Sequence, residues 1–312
     1  MMPQLQKVIG AASTATQYGF DATRNASNLI TVWTHPDFPA AQAGLRRGDV
    51  ILSVNGKRDT PQLLYSAIAQ SEFATRRIKL GVRRSDGSTR ELIFNPSTAL
   101  LSSYVNRFDK TTVITIPSMD GNLTDQAIFK MLQTAVGDGT ARIVLDLRYH
   151  VGGNPFTAVR LASAFLGRVE STYIDKPGTL IKYNMNEAVK RYEISSAPEK
   201  NNTETITGWV SWKGPITILV GHRTESIGET FTSFFQRVKH GSVIGTATGG
   251  GGGVLANSFR LEGGARLQVT THFILDEQGQ RLPSKVQPDI ELPLDLDLLM
   301  IGRDSQLERA LQ

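Results

Sequence analysis

Cysteine is missing from all 312 residues. Thiol nucleophiles are therefore excluded, leaving hydroxyls, amines, carboxylates and imidazoles. One hydroxyl is well placed. Thr224-Glu225-Ser226-Ile227-Gly228-Glu229 follows the apolar run Ile216-Thr217-Ile218-Leu219-Val220 and opens an amphipathic stretch. A serine at a helix start is most often a cap whose oxygen takes a backbone N–H, and taken alone that reading outweighs a chemical one. The same place also suits a nucleophile, because helix N-terminal amides stabilise a developing oxyanion. A second segment, Asp146-Leu147-Arg148-Tyr149-His150-Val151-Gly152-Gly153-Asn154, stands just past another buried-type run. Its two glycines free N–H groups to point at an anion or a carbonyl oxygen, and His150 adds an imidazole. A tight strand-to-helix turn explains the same residues equally well.

Other chemistries find less support. The histidines at 35, 150, 222, 240 and 272 lack metal-ligand spacing, so no metal or other cofactor is expected. Gly249 to Gly253 fails the dinucleotide fingerprint, because Val254 and Leu255 stand where the third glycine belongs; it reads as a loop passing close to something. The net charge of +5 is mild. The densest basic stretch, Arg76 to Arg84, alternates with apolar residues as a strand with a solvated face, so no nucleic-acid partner is expected. No apolar run approaches the roughly 18 residues of a membrane helix, so no membrane span is expected in this chain. Met1-Met2-Pro3-Gln4 lacks the basic-then-apolar pattern of a signal peptide. The chain is then either cytoplasmic or shown without its targeting segment, and the compartment stays open.

The elements that must hold these residues fall into two groups, as expected at about 150 residues per domain. With 40% hydrophobic and 20% charged residues the chain can bury a core. Residues 1–13 are a lead-in. Residues 14–97 read as a small β-rich module. Leu29-Ile30-Thr31-Val32 is a strand, and Asp49 to Val54 another that runs into an Asn55-Gly56 turn. Thr60-Pro61 starts a helix with Leu63, Leu64, Ala67 and Ile68 on one face. A two-residue hairpin turn is expected at Asp86-Gly87. Residues 98–312 alternate strand and helix, as in an α/β core. Ile128, Met131, Leu132 and Ala135 mark one helix, and Phe231, Phe234, Phe235 and Val238 mark another. Near 168–213 the chain turns polar and irregular, like a lid, a binding insertion or a mobile loop.

Several segments together resemble a known family. Phe38-Pro39-Ala40-Ala41-Gln42-Ala43-Gly44-Leu45-Arg46-Arg47-Gly48-Asp49-Val50-Ile51-Leu52-Ser53-Val54-Asn55-Gly56 is similar to the PDZ signature of bacterial proteases. Asp146-Leu147-Arg148 with Gly152-Gly153, Ser226-Ile227-Gly228-Glu229, Val243-Ile244-Gly245-Thr246, Gln287-Pro288-Asp289-Ile290 and Asp304 to Leu311 resemble, in order, segments of the C-terminal processing (tail-specific) serine peptidases. The resemblance implies an α/β protein in which a PDZ-like β-rich module precedes a crotonase/ClpP-like protease core. It implies an ATP-independent endopeptidase acting on polypeptides held by their C-termini, and a periplasmic, envelope or secreted location if an N-terminal segment is missing. Tyr18-Gly19-Phe20 would be the carboxylate-binding loop, and Leu63, Leu64, Ala67 and Ile68 would line the pocket for the last side chain. Ser226 would be the nucleophile. The Ile227 amide, with Gly152 or Gly153, would form the oxyanion hole. The oligomeric state is not implied.

The match breaks at the base. Gly251 falls where the family carries a lysine, Arg237 where an aspartate is often found in the helix after the serine, and Thr115 on the early strand where a related branch has a histidine. A serine without a base is a poor nucleophile at neutral pH. His150 is the first expected substitute, His222 and His272 are others, and Lys213 could reach in from the insertion. The alternative is a catalytically silent homologue that binds peptide C-termini without cutting.

Overall fold

The computed structural model describes residues 17–312 apart from 59, 72–76, 121–123 and 263–264; the side chains of 67–71 and 266 also lie outside the description. Two compact units emerge, Met1–Leu101 with Leu294–Arg309, and Ser102–Pro293 with Ala310–Gln312.

The first unit is a five-stranded antiparallel sheet in the order β1 (Phe20–Arg24), β2 (Leu29–Thr34), β3 (Val50–Val54), β4 (Ile78–Arg83), β5 (Thr89–Phe94). Helices α1 (Pro39–Gln42) and α2 (Pro61–Ser71) accompany it. Ile78, Leu80 and Val82 alternate inward and join Tyr18, Phe20 and Phe94 in the core. The outward Lys79 pairs with Glu91 on β5 at 2.7 Å, so part of the basic strand is answered across the sheet. Asn55 and Gly56 both take positive φ, 52° and 80°, as a two-residue turn demands. The other hairpin differs from the two-residue expectation. Arg84 N–H donates to Ser88 O at 2.9 Å, leaving Ser85-Asp86-Gly87 as a three-residue loop in which Gly87 alone is left-handed.

Leu294–Arg309 departs from the expected 98–312 core by packing with the first unit. The reason is local. Gly48 has no side chain, and a Cβ there would sit 2.3 Å from the Leu299 carbonyl oxygen. Beside it Arg47 pairs with Asp304 at 2.6 Å.

In the second unit one sheet is ordered β17-β14-β13-β8-β7-β6. Its strands are β6 (Tyr104–Phe108), β7 (Thr111–Thr115), β8 (Arg142–Asp146), β13 (Ile216–Val220), β14 (Ser242–Gly245) and β17 (Ile290–Glu291). All pairings are parallel except β6 with β7. Parallel strands need crossovers, supplied here by α3 (Thr124–Gly137), α4 (Pro155–Leu166) and α5 (Ile227–Arg237). Their apolar faces are buried as the spacing requires, apart from Met131, partly buried on α3, and Val238, 59% exposed just past the end of α5. The segment read as irregular is ordered. It forms β9 (Arg168–Asp175), β10 (Leu180–Asn186), β11 (Val189–Ile194) and β12 (Asn202–Thr205). With β15 (Val254–Arg260) and β16 (Arg266–Leu275) these make a second sheet, β12-β11-β10-β9-β16-β15. Polar residues dominate these strands because only one face is covered, as Val169, Tyr173, Tyr183 and Met185 show by their burial. Among the described residues no helix is long and apolar enough to cross a membrane.

Candidate active site

β8 and β13 are parallel neighbours, so the segments that follow them emerge at the same sheet edge. Hydrogen bonds stitch the two together. Thr224 Oγ1 donates to Leu147 O at 2.7 Å and accepts from Gly221 N–H at 3.0 Å. Glu225 N–H donates to His150 O at 3.1 Å. The sequence reading passed over Thr224, whose only signal is a threonine two residues before the serine.

Ser226 ends the β13 turn and begins α5. Its backbone is at φ 55°, ψ −118°, and its hydroxyl caps no helix amide. That overturns the capping reading. Such a conformation costs a non-glycine residue about 1–3 kcal/mol and persists only where the surroundings enforce it. The enforcers can be named. Gly152 lies so near that a Cβ on it would be 3.2 Å from Ser226 Cβ and 3.6 Å from Oγ. On the far side, a Cβ at Gly252 would sit 3.3 Å from Ser226 O. Among the described residues Ser226 Oγ makes no hydrogen bond.

The Gly152-Gly153 turn is held by Met119 N–H to Gly152 O at 2.9 Å, Val151 N–H to Pro117 O at 2.9 Å and Asn154 N–H to Met119 O at 3.2 Å. Asn154 then caps α4 through Phe156 N–H at 2.8 Å. A Cβ at Gly153 would fall 2.4 Å from the Met119 carbonyl carbon. No backbone hydrogen bond among the described residues uses the N–H of Gly152, Gly153 or Ile227. Arg148 closes a buried bidentate pair with Asp146, at 2.9 and 2.6 Å, and fixes the start of the turn.

His150 is fully buried under this assembly. Its Nδ1 lies 2.8 Å from Ile116 O; a carbonyl can only accept, so Nδ1 carries the proton. Nε2 has no partner among the described residues, Ser226 included. Burial lowers the imidazole pKa to about 4, against the pull of Ile116 O, so the ring is neutral near pH 7. The ring also explains Gly228, where a Cβ would meet His150 Cδ2 at 2.5 Å. His222 is exposed, and His272 on β16 contacts Thr271 Oγ1 at 3.0 Å; neither is hydrogen-bonded to Ser226. Lys213 stands before β13 and Ser226 after it, so the whole strand of 5 residues, at ~3.3 Å each, separates them.

The glycine run lies along the Ser226 segment. Gly249 N–H donates to Thr224 O at 2.9 Å, and Gly250 N–H to Glu229 Oε1 at 2.7 Å. Glu229, buried in the first turn of α5, also takes the Thr248 hydroxyl. Burial pushes this carboxyl up, and its bonds to Thr248 and the glycine amides pull the other way. At Gly251 a Cβ would find nothing within 4 Å except Ser226 N, at 3.9 Å. The place where the family carries its lysine is therefore beside Ser226 and open. Among the described residues no cluster of three acidic or histidine side chains is placed to hold a metal.

In the first unit, Tyr18 and Phe20 are buried and Gly19 takes φ +73° between them. Gly19 O accepts from His35 N–H at 2.7 Å, and a Cβ on Gly19 would strike Phe38 Cβ at 2.1 Å. The strand that follows, β1, is at the edge of its sheet, and α2 packs near it. On α2 Leu64 is buried and Leu63 is half-exposed; the side chains of Ala67 and Ile68 lie outside the described residues.

Residues 110–292 match peptidase family S41, and residues 31–65 match the PDZ domain. Probable CtpA-like serine proteases are similar to this chain. That of Staphylococcus haemolyticus is 25% identical over 278 residues, 88% of this chain and 52% of the relative. That of Staphylococcus aureus is 27% identical over 256 residues, 81% and 48%. The chain thus spans about half the length of these curated relatives. Among solved structures, a putative S41 protease from Bacteroides fragilis aligns with TM-score 0.63 at 20% identity, over 95% of this chain and 82% of that one. The photosystem II D1 C-terminal processing protease aligns with TM-score 0.50 at 18% identity, over 92% and 75%. At such identities these structures support the fold alone.

Proposed function

The chain belongs to peptidase family S41, and from that premise we propose that it is an ATP-independent serine endopeptidase that cuts polypeptides held by its PDZ domain. The observation that carries the reading is the backbone of Ser226. A hydroxyl held at φ 55°, ψ −118° at a strand-to-helix turn, capping nothing, is strained in the manner of an exposed nucleophile. Ser226 Oγ attacks the scissile carbonyl carbon. Negative charge develops on the carbonyl oxygen, and the unused N–H groups of Ile227 and of Gly152 or Gly153 receive it. Collapse expels the amine and leaves an acyl-enzyme, which water hydrolyses.

Substrate arrives as an extended strand. β1 is a sheet edge with α2 close by, and the Tyr18–Phe20 bend at Gly19 stands at the start of that strand, where a terminal carboxylate is held on this reading. Leu63, half-exposed, offers apolar surface to the last side chain.

Casein incubated with the full chain, next to Ser226→Ala and followed by mass spectrometry, tests the reading. Cleavage by the parent that vanishes in Ser226→Ala supports it. Cleavage that survives the substitution sinks Ser226 as nucleophile.

A second reading has its own observation. Ser226 Oγ has no hydrogen-bonded base among the described residues, and the His150 ring is turned to Ile116. On that reading the chain binds peptide C-termini without cutting. Saturable binding of a peptide with a free C-terminus, lost on C-terminal amidation and accompanied by no cleavage, favours it.

A further inference from the structure

A nucleophilic Ser226 needs a group to take its proton. We propose that Lys285 is that general base, an assignment that rests on the peptidase reading above. The glycine run is a ribbon of bare backbone with two flanks. On one flank lies the Ser226 segment, joined through Gly249 N–H to Thr224 O and through a bridge between Glu225 and Gly250. On the other lies the segment carrying Lys285. It is clamped on both sides of the lysine: Gly252 N–H donates to Ser284 O at 3.1 Å, Thr248 N–H donates to Val286 O at 3.1 Å, and Val286 N–H donates to Thr248 Oγ1 at 2.8 Å. The Lys285 backbone is thus fixed relative to the ribbon, and through Thr248 and Glu229 relative to α5.

From this anchor the lysine stem lies on the ribbon. Its Cγ is 3.5 Å and its Cε 3.1 Å from the Cβ position of Gly250, so a side chain there would push the stem aside, and the φ of +108° favours glycine as well. Lys285 is exposed and has no ion-pair or hydrogen-bond partner among the described residues. The neighbouring Gly251 leaves a volume bounded within 4 Å only by Ser226 N. A flexible four-carbon stem thus lies against Gly250, one residue from the open position beside Ser226, and rotation of the stem across the bare ribbon would carry its amine toward the serine.

The proton balance is simple. Neutral Nζ accepts the Ser226 hydroxyl proton as Oγ bonds to the carbonyl carbon and the C=O electron pair moves onto oxygen. The resulting ammonium returns that proton to the leaving nitrogen as the C–N bond breaks. In the second half Nζ takes a proton from the attacking water and returns it to Ser226 Oγ. An amine is a base only while unprotonated, so the reaction draws on the neutral fraction of Nζ.

The test is labelling of the full chain with a fluorophosphonate, which reports serine activation without a known substrate. Ser226 modification is located by mass spectrometry, and rates are followed from about pH 6 to about pH 11, past the ordinary lysine value of about 10.4. Lys285→Met and Lys285→Arg are compared with the parent, Lys213→Met is the control, and thermal melts check folding. Parent labelling at Ser226 should rise with pH. Both Lys285 variants should lose about 100-fold of the rate together with the pH inflection, since a guanidinium stays protonated. The control should label like the parent. Lys285→Met labelling at the parental rate and pH dependence overturns the base and leaves Ser226 standing as nucleophile. Lys285→Arg that keeps the parental rate overturns it too, because charge and not proton transfer would then be at work. A parent that never labels at Ser226 removes the peptidase reading and this assignment together.

Discussion

Ser226 is flanked by two glycine-containing turns that use the residue for opposite reasons. At Gly152-Gly153 the glycines are compelled by crowding, since each added Cβ meets Ser226 or the Met119 backbone. In the run 249–253 the crowding is uneven, and at Gly251 the side chain is missing over open space. The first turn is a rigid wall that shapes the serine. The second has a gap at the point where an activating group is wanted. A glycine therefore carries no fixed meaning; what its Cβ would meet decides it.

The contrast can be broken by four substitutions. Gly153→Ala should be the most damaging. It combines a strained positive φ, about 1–2 kcal/mol, with an overlap against backbone that cannot yield, about 1–3 kcal/mol more. A urea midpoint within error of the parent would show that the wall is soft. His150, packed under the same wall, comes next. Its pKa in the fold, about 4, is below the ordinary 6.5, so the unfolded chain takes up the proton first. Stability is then lost as pH falls from about 6.5 to about 4, by roughly 3 kcal/mol from this group. His150→Gln should flatten the dependence of unfolding free energy on pH in that window, and identical slopes would refute the assignment. Gly152→Ala should spare more of the fold, at about 2 kcal/mol, while displacing Ser226. Fluorophosphonate labelling should then fall about 100-fold, as when an oxyanion donor is lost. Gly251→Ala should matter least, about 1 kcal/mol for its φ of +96°, with little change in labelling. If it proved as harmful as Gly153→Ala, the gap would not be a gap.

Much of this was legible in the chain. The parallel order of β8 and β13 follows from apolar runs separated by helical spacing, and it makes Gly152 and Ser226 neighbours. The periodicities of α3 and α5, Val238 aside, read correctly because burial on one side leaves a strong imprint. Four features were hidden. β9–β12 lie in a one-sided sheet, so their polar residues mimic a loop. Ser226 looked like a cap because residue type does not disclose ψ. His150 looked like a base because a sequence does not say which way a ring points, or that Ile116 O would hold its proton. Lys285 is far from Ser226 in sequence, and only the pairing of 248–252 with 284–286 brings it to the glycine run.

The return of Leu294–Arg309 to the first unit bears on how the molecule is made. A chain synthesised from its N-terminus presents β1–β5 to solvent long before the piece that completes them exists. Until that piece is released, Arg47 lacks Asp304, and the notch at Gly48 lacks the Leu299 backbone that fills it. The unit begun first is completed only after Ser102–Pro293 has been made. A nick or truncation near residue 294 therefore injures the unit at the other end of the chain. The segment from 14 to 97, expressed by itself, is a domain with its clasp removed.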